Sequence, residues 1–137
     1  MQTFSVFTYG TLQFPEVMQV VSGLDLKPVV ATITGYQRLK INERTFPGLI
    51  KKQGIITDGM LYRDLGKHAL ESLDHFEDVM YERCLVDVQV VDKTEQAFVY
   101  VTQKEYENCL LDQEWSLNEF RKKYLKLYLK RISGFLD

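Results

Sequence analysis

The sequence has few cysteines, few prolines and no long apolar run. Its two cysteines, Cys84 and Cys109, are too few for a disulfide scaffold and belong to no Cys-x-x-Cys or Cys/His cluster. Its uninterrupted apolar runs are far shorter than the ~20 residues that a membrane helix needs. Since the first residues carry no basic segment and follow a strand pattern, we expect no signal peptide. These absences favour a small, soluble, cytoplasmic domain with no membrane as a partner.

Excess charge of one sign is also missing. Lys and Arg total 17 and Asp and Glu total 19, and the resulting net charge of −2 does not indicate a nucleic-acid binder. The composition is 45% hydrophobic and 26% charged, as in an ordinary globular protein. No repeat and no Gly/Pro/Ser-rich linker divides the 137 residues, so we treat 1–137 as a single domain.

Alternating apolar residues and β-branched residues predict about six strands. The predicted strands cover 4–9, 29–34, 36–41, 55–62, 83–91 and 96–101. Residues 42–52 are predicted as a loop, and helical spacing appears over 15–22 and 65–76. So many strands with so few helices favour an α+β domain on a curled or closed sheet over a repeated βαβ fold.

The C-terminal segment predicts an amphipathic helix over about 116–133. Ser116 and Glu119 fit a capping box, and Trp115 and Phe120 are spaced for a hydrophobic staple around it. Residues 121–131 hold six basic residues and no acidic one. We interpret this helix as packed on the sheet with solvated lysines. The alternative is a basic surface for a membrane or a partner helix.

Near the N-terminus a strand meets a glycine and then a turn. The residues concerned are Tyr9, Gly10, Thr11 and Leu12. Successive backbone amides in such a turn could form a nest that binds an anion. The alternative is a plain strand end in which Gly10 supplies a permissive backbone conformation.

Three carboxylates crowd the end of the middle helix. Asp74 lies three residues before Glu77 and four before Asp78, so the three share a helix face if the helix persists. Their mutual repulsion and the helix dipole would both raise a carboxyl pKa, which suits a general base near neutrality. A solvated acidic helix end is the alternative. Tyr81 and Arg83 follow as a hydrogen-bond donor and a counter-ion, or simply as the start of a strand.

No pattern indicates a metal or a cofactor. His68 and His75 are seven residues apart, about 10.5 Å along a helix axis, which is too far to share one ion. The sequence has no phosphate loop, dinucleotide fingerprint or Gly-x-Ser-x-Gly elbow.

Six short segments, taken in their order along the chain, carry a family resemblance. They are Val6-Phe7-Thr8-Tyr9-Gly10-Thr11-Leu12, Gly35-Tyr36-Gln37-Arg38, Phe46-Pro47-Gly48-Leu49, Gly59-Met60-Leu61-Tyr62, Leu73-Asp74-His75-Phe76-Glu77 with Tyr81-Glu82-Arg83, and Ala97-Phe98-Val99-Tyr100-Val101. The series resembles the gamma-glutamylcyclotransferase-like family, in the branch of AIG2-like proteins and gamma-glutamylamine cyclotransferase. The resemblance implies a small mixed β-barrel flanked by helices, with one pocket at the barrel mouth and no cofactor.

The resemblance also implies a reaction. The substrate would be a γ-glutamyl amide whose α-amine attacks its own γ-carbonyl, releasing an amine and 5-oxoproline. By motif, Glu77 would be the general acid/base, and the backbone amides of residues 9–12 would hold the substrate carboxylate or polarise the γ-carbonyl oxygen. Tyr81, Arg83 and Tyr100 would line or support the pocket. The amine attached to the γ-glutamyl group and the oligomeric state stay open.

Two departures and two other functions accompany this reading. Asp78 stands where many members have glycine, and the Thr11-Leu12 pair points away from the glutathione-pathway branch, which has Ser-Asn there. The chain could instead be a non-catalytic binding module for a γ-glutamyl or carboxylate ligand. It could also be a protein-interaction domain that uses its basic C-terminal helix.

Overall fold

Six strands form one mixed sheet in the structure, a computed structural model that describes residues 2–136, with the side chains of all of these except 78 and 134–136. The strands are β1 (Phe4–Thr8), β2 (Val29–Ile41), β3 (Pro47–Leu65), β4 (Tyr81–Val90), β5 (Lys93–Thr102) and β6 (Leu110–Glu114). The strand order is β3-β1-β5-β4-β2-β6, and β2 also pairs with β3. Hydrogen bonding therefore runs around a ring of five strands, with β6 attached to β2. The α+β fold on a closed sheet is confirmed.

Four α-helices pack outside this ring. They are α1 (Pro15–Ser22), α2 (Lys67–Glu77), α3 (Leu117–Lys123) and α4 (Leu125–Leu136). Short 3-10 turns cover Thr11–Gln13, Asp78–Met80 and Lys104–Cys109. Pro15 occupies the first turn of α1, and Gly23 ends that helix in the left-handed conformation, with a φ of 76°. Within residues 2–136, no helix is long and apolar enough to span a bilayer.

The apolar residues of each strand face two different cores. Phe7, Ile33, Leu49, Val88 and Val99 come from the five strands of the ring and fill its interior. Neighbouring strand residues point outward into a second cluster, which joins the ring to the helices and includes Val6, Tyr62, Leu65, Met18, Leu73 and Phe120. Complete burial of such a side chain contributes roughly 1.5–3 kcal/mol. The second core holds α1 and α2 against the outer face of the ring.

The long β2–β3 hairpin differs from the predicted loop over 42–52. Strand β3 already begins at Pro47, which pairs with Lys40, and its pairing with β2 continues to Lys51 opposite Tyr36. The loop prediction is therefore wrong for 47–52, where pairing with β2 outweighs the turn signal of Pro47-Gly48. Gly35, with a φ of 93°, produces an irregularity within β2 and does not end the strand. Strand β6 was not predicted either.

The predicted C-terminal helix over 116–133 is two helices. The chain leaves helical geometry at Tyr124, with φ −128° and ψ −21°, so α3 ends there and α4 begins. The Ser116 hydroxyl accepts a hydrogen bond from the Glu119 amide at 3.2 Å, as the capping box requires. The Glu119 carboxylate lies instead 3.6 Å from the Lys40 ammonium. The rings of Trp115 and Phe120 pack with centroids 5.7 Å apart, which confirms the staple.

Candidate active site

A cavity of about 370 Å³ opens where the ring meets the helices. That volume lies in the usual range for small-molecule sites. Its wall contains Phe7, Thr8, Tyr9, Gly10, Thr11, Leu12, Arg44, Phe46, Pro47, Phe76, Glu77, Val79, Met80, Tyr81, Tyr100, Tyr106 and Tyr128. Among these described lining residues, Glu77 is the single acid and Arg44 the single cation. The cavity thus brings together Glu77 and the predicted residues from the turn at 9–12, together with Tyr81 and Tyr100.

Glu77 ends α2 and is the titratable group closest to neutrality in the wall. Burial is the main cause that raises the pKa of its carboxyl from 4.5 to about 8, and the nearby Asp74 carboxylate adds to it. The raised pKa agrees with the sequence-based expectation. The main cause of the shift was not expected, because the spacing of acids along the helix indicated only charge repulsion and the helix dipole and not burial. The side chain of Asp78, the third acid of the predicted cluster, lies outside the described residues.

Asp74 does not line the cavity, but it accepts a hydrogen bond from a residue that does. One carboxylate oxygen accepts a hydrogen bond from the Tyr100 hydroxyl at 2.7 Å, and the other accepts one from the Arg83 guanidinium at 2.8 Å. Arg83, predicted to line or support the pocket as a substrate-binding residue, does not line the cavity. Its guanidinium pairs with Asp74 and lies 4.7 Å from the ring centre of Phe98. Arg83 therefore supports Tyr100 through Asp74 and does not itself face a ligand.

The tyrosines give the cavity a polar but uncharged wall. The Tyr9 hydroxyl donates to the carbonyl oxygen of Tyr100, and the Tyr81 hydroxyl donates to that of Pro47. The Tyr128 hydroxyl lies 3.2 Å from the Thr11 hydroxyl. Burial raises the pKa of Tyr9 and Tyr81 well above the ordinary value of 10, and that of Tyr128 to about 12. These phenols are neutral at physiological pH, so the proton equilibrium of the wall depends on Glu77.

The turn after β1 forms part of the cavity wall. In the described part of the chain, the N–H groups of Gly10, Thr11 and Leu12 have no hydrogen-bond acceptor, as expected where a helical turn begins. A Cβ on Gly10 would lie 2.8 Å from Cγ of Pro47. Since the φ of Gly10 is −124°, glycine is needed here for close approach and not for a left-handed backbone. The three amides without an acceptor thus belong to residues of the cavity wall.

Several wall residues were missed as site residues because they come from distant segments. Arg44 and Phe46 belong to the turn between β2 and β3, and Tyr106 to the 3-10 turn over Lys104–Cys109. Tyr128 lies within the predicted C-terminal helix and reaches the cavity from α4. No local pattern marks these residues as neighbours of Glu77. Only the packing of α4 and of the turns against the ring does so.

Fold and site together define a small α+β domain with a closed sheet and one ligand-sized pocket that holds a single described acid. Among known families, the one described as "Gamma-glutamyl cyclotransferase, AIG2-like" matches residues 6–117. The chain belongs to this family, as the six sequence segments indicated. Helix α4 and its Tyr128 lie outside the matched residues.

Similar proteins support the assignment. AIG2-like protein C of Arabidopsis thaliana is 29% identical over 136 residues, covering 98% of this chain and 78% of that protein. A solution structure of an Arabidopsis thaliana protein superposes with a TM-score of 0.75 at 23% identity, covering 99% of this chain and 83% of that one. A structure named gamma-glutamyl cyclotransferase gives a TM-score of 0.68 at 16% identity, covering 97% and 88%. At these identities the two structures show the shared fold.

Proposed function

We propose that the protein is a γ-glutamyl amide cyclotransferase in which Glu77 is the general acid/base. The α-amine of the substrate attacks its own γ-carbonyl carbon, forming a C–N bond and closing a five-membered ring. The amide C–N bond then breaks, so that an amine and 5-oxoproline leave. The observation that carries the proposal is the carboxyl of Glu77, raised in pKa to about 8 inside the cavity of a chain from this family.

The pKa of Glu77 suits a proton carried from one amine to another. The free α-carboxylate makes the α-amine of a γ-glutamyl amide somewhat more basic than a peptide α-amino group, whose pKa is ~8, so proton transfer to a carboxyl with a pKa of about 8 costs little free energy. A bound α-ammonium would stabilise the carboxylate form of Glu77, which then removes the proton that blocks attack. The same carboxyl returns the proton to the departing amine nitrogen. One residue therefore serves both halves of the reaction.

The remaining wall supplies positioning and charge stabilisation. The free amides of Gly10, Thr11 and Leu12 are suited to hold the substrate carboxylate or the oxyanion that forms on the γ-carbonyl oxygen. Because the nucleophile is tethered to the electrophile, correct folding of the substrate in the cavity provides much of the rate acceleration. The neutral hydroxyls of Tyr9, Tyr81 and Tyr100 donate to protein oxygens and do not compete for the transferred proton. No step requires a metal or a cofactor.

One group of wall residues bears on the leaving amine. Phe46, Val79, Met80 and Tyr106 are apolar or aromatic, and Arg44 is an exposed cation of the same wall. We propose a small γ-glutamyl amide as the ligand and a cytoplasmic location for its turnover. Candidate amides whose leaving amines differ in charge then identify the attached amine by experiment.

The test is the direct detection of 5-oxoproline. Purified protein is mixed with γ-glutamyl-alanine, γ-glutamyl-ε-lysine and glutathione in turn, and the product is measured by mass spectrometry. We expect product with the wild-type protein and none with Glu77→Gln. Glu71→Gln removes an exposed carboxyl from the same helix and is expected to retain turnover. Absence of product across the panel would refute the cyclotransferase proposal.

The free amides also favour a second candidate, a binding module for a γ-glutamyl or carboxylate ligand. Backbone donors in the turn at 9–12 can bind a carboxylate without any proton transfer. Calorimetry with the same panel separates the two functions. A binding module would bind a panel member with no turnover, and Glu77→Gln would leave that affinity largely unchanged.

A further inference from the structure

Arg38 is a buried cation that the proposed reaction does not use. It lies in β2 and is only 8% exposed. One terminal nitrogen donates hydrogen bonds to the carbonyl oxygens of Tyr9 and Asp58, each at 3.0 Å, and the other donates to the Asp58 carboxylate at 2.8 Å. The guanidinium thereby ties the residue after β1 to both the backbone and the side chain of β3.

Its ion pairs do not account for its burial. The side chains of its two carboxylate partners, Asp58 and Glu114, are each 75% exposed, and the Glu114 oxygen is 3.8 Å away. An ion pair between such groups gains little in water, whereas burying a guanidinium carries a desolvation cost. The Nε of Arg38 is buried without a hydrogen-bond partner, which adds to that cost. The contact that does require a buried donor is the one to the Tyr9 carbonyl.

The Tyr9 carbonyl belongs to the peptide that joins Tyr9 to Gly10. In the described part of the chain, no backbone N–H donates to this oxygen, and Arg38 is its donor. The peptide is trans, so its N–H points opposite to its C=O. Arg38 does not line the cavity, whereas Gly10 does. With the oxygen held by Arg38 behind the wall, the Gly10 N–H is directed to the cavity side.

We propose that Arg38 is a positioning residue: it holds the Tyr9–Gly10 peptide so that the amides of the turn face the ligand. Pro47 packs against Gly10 from one side, and Arg38 fixes the rotation of the peptide from the other. This inference rests on the proposed function for its catalytic consequence. The orientation of the peptide itself is independent of any reaction.

Three variants test the catalytic consequence. Arg38→Met removes all donors, and Arg38→Lys keeps the charge but not the planar fork that reaches two oxygens from one nitrogen. Asp58→Asn removes the charged partner while keeping an acceptor for Arg38. We expect kcat to fall about 10- to 100-fold in both Arg38 variants and to stay within about 3-fold in Asp58→Asn. The pH profile of kcat should keep its shape, because Glu77 is untouched.

A purely structural role predicts a different pattern. Arg38→Met would then lower the melting temperature and leave kcat at saturating substrate unchanged, and that result would overturn the inference. If Arg38→Met does not fold, Arg38→Lys carries the same comparison. A fall in kcat that Asp58→Asn shares equally would also overturn it, since the ion pair and not the Tyr9 contact would be responsible.

Amide NMR separates this inference from the proposed function. The signals of Gly10 and Thr11 in a ¹⁵N-labelled sample are expected to shift or broaden in Arg38→Met and to stay in place in Asp58→Asn. The Gly66 signal is the reference for a residue away from the cavity. If the wild-type protein turns over no amide yet the Gly10 signal responds to Arg38, the proposed function fails and Arg38 still positions the peptide. Unmoved signals in Arg38→Met would refute the positioning role.

Discussion

The pKa of Glu77 makes a prediction about stability that needs no substrate. In the folded protein this carboxyl keeps its proton up to a pH of about 8, whereas in the unfolded chain it loses it near 4.5. Between these values the folded state binds one proton more than the unfolded state, so stability falls as the pH rises. Below pH 4.5 the carboxyl is protonated in both states and does not lower the stability. Above pH 8 it is ionised in both states, and the full penalty of burying the charge applies.

The size of the effect follows from the two pKa values. At 1.36 kcal/mol per pKa unit, the gap between the folded and unfolded pKa values of Glu77 lowers the stability, relative to acid pH, by about 3 kcal/mol at pH 7 and about 4 kcal/mol at pH 8. These are upper limits, because a half-buried carboxylate can reduce the penalty by turning toward solvent. Glu77→Gln replaces the acid with a neutral side chain of similar shape and removes the penalty. The variant should therefore match the wild-type protein near pH 4.5 and be more stable by a few kcal/mol at pH 8.

The assay is urea unfolding of both proteins at half-unit steps from pH 4.5 to 8.5. The difference in unfolding free energy between variant and wild type removes the pH-dependent contributions that both proteins share. Glu71→Gln, which alters an exposed carboxyl of α2, is the matched control and should show no growing difference. Parallel curves for Glu77→Gln and the wild-type protein across the whole range would refute the buried-carboxyl argument, and with it the physical basis for Glu77 as the proton carrier.

Three further predictions concern the surroundings of the site. Gly10→Ala would force a Cβ to within 3 Å of its neighbour and is expected to cost about 1–3 kcal/mol in thermal or urea unfolding and to abolish turnover. Gly66→Ala, where a Cβ meets nothing within 4 Å, should do neither. Asp74→Asn removes the second cause of the raised pKa of Glu77, so the limb of the pH–rate profile that reports Glu77 should move to lower pH. If that limb does not move, the electrostatic coupling between Asp74 and Glu77 is excluded. Ser116→Ala removes the N-cap of α3 and should lower the free energy of unfolding in urea by about 1 kcal/mol with kcat unchanged. A loss of activity in this variant would show that α3 affects the site through more than its cap.

The sequence by itself determined the features that depend on neighbouring residues. The alternation from Cys84 to Val90 specifies a strand, because side chains two residues apart share a face of the sheet. The cap at Ser116 and the packing of Trp115 on Phe120 follow from spacings of a few residues. The six motif segments were enough to indicate the family and the closed α+β fold.

The tertiary structure alone decided the features that depend on distant segments. Residues 47–52 form a strand because β2 supplies their hydrogen-bond partners, which the local Pro-Gly turn signal does not reveal. Tyr128 reaches the cavity through the packing of α4, and Arg38 reaches the Tyr9 carbonyl across 29 positions of the chain. The raised pKa of Glu77 also depends on distant segments. Its main cause is the loss of solvent around the carboxyl, and burial is a property of the packed ring and helices, which spacing along one helix does not express.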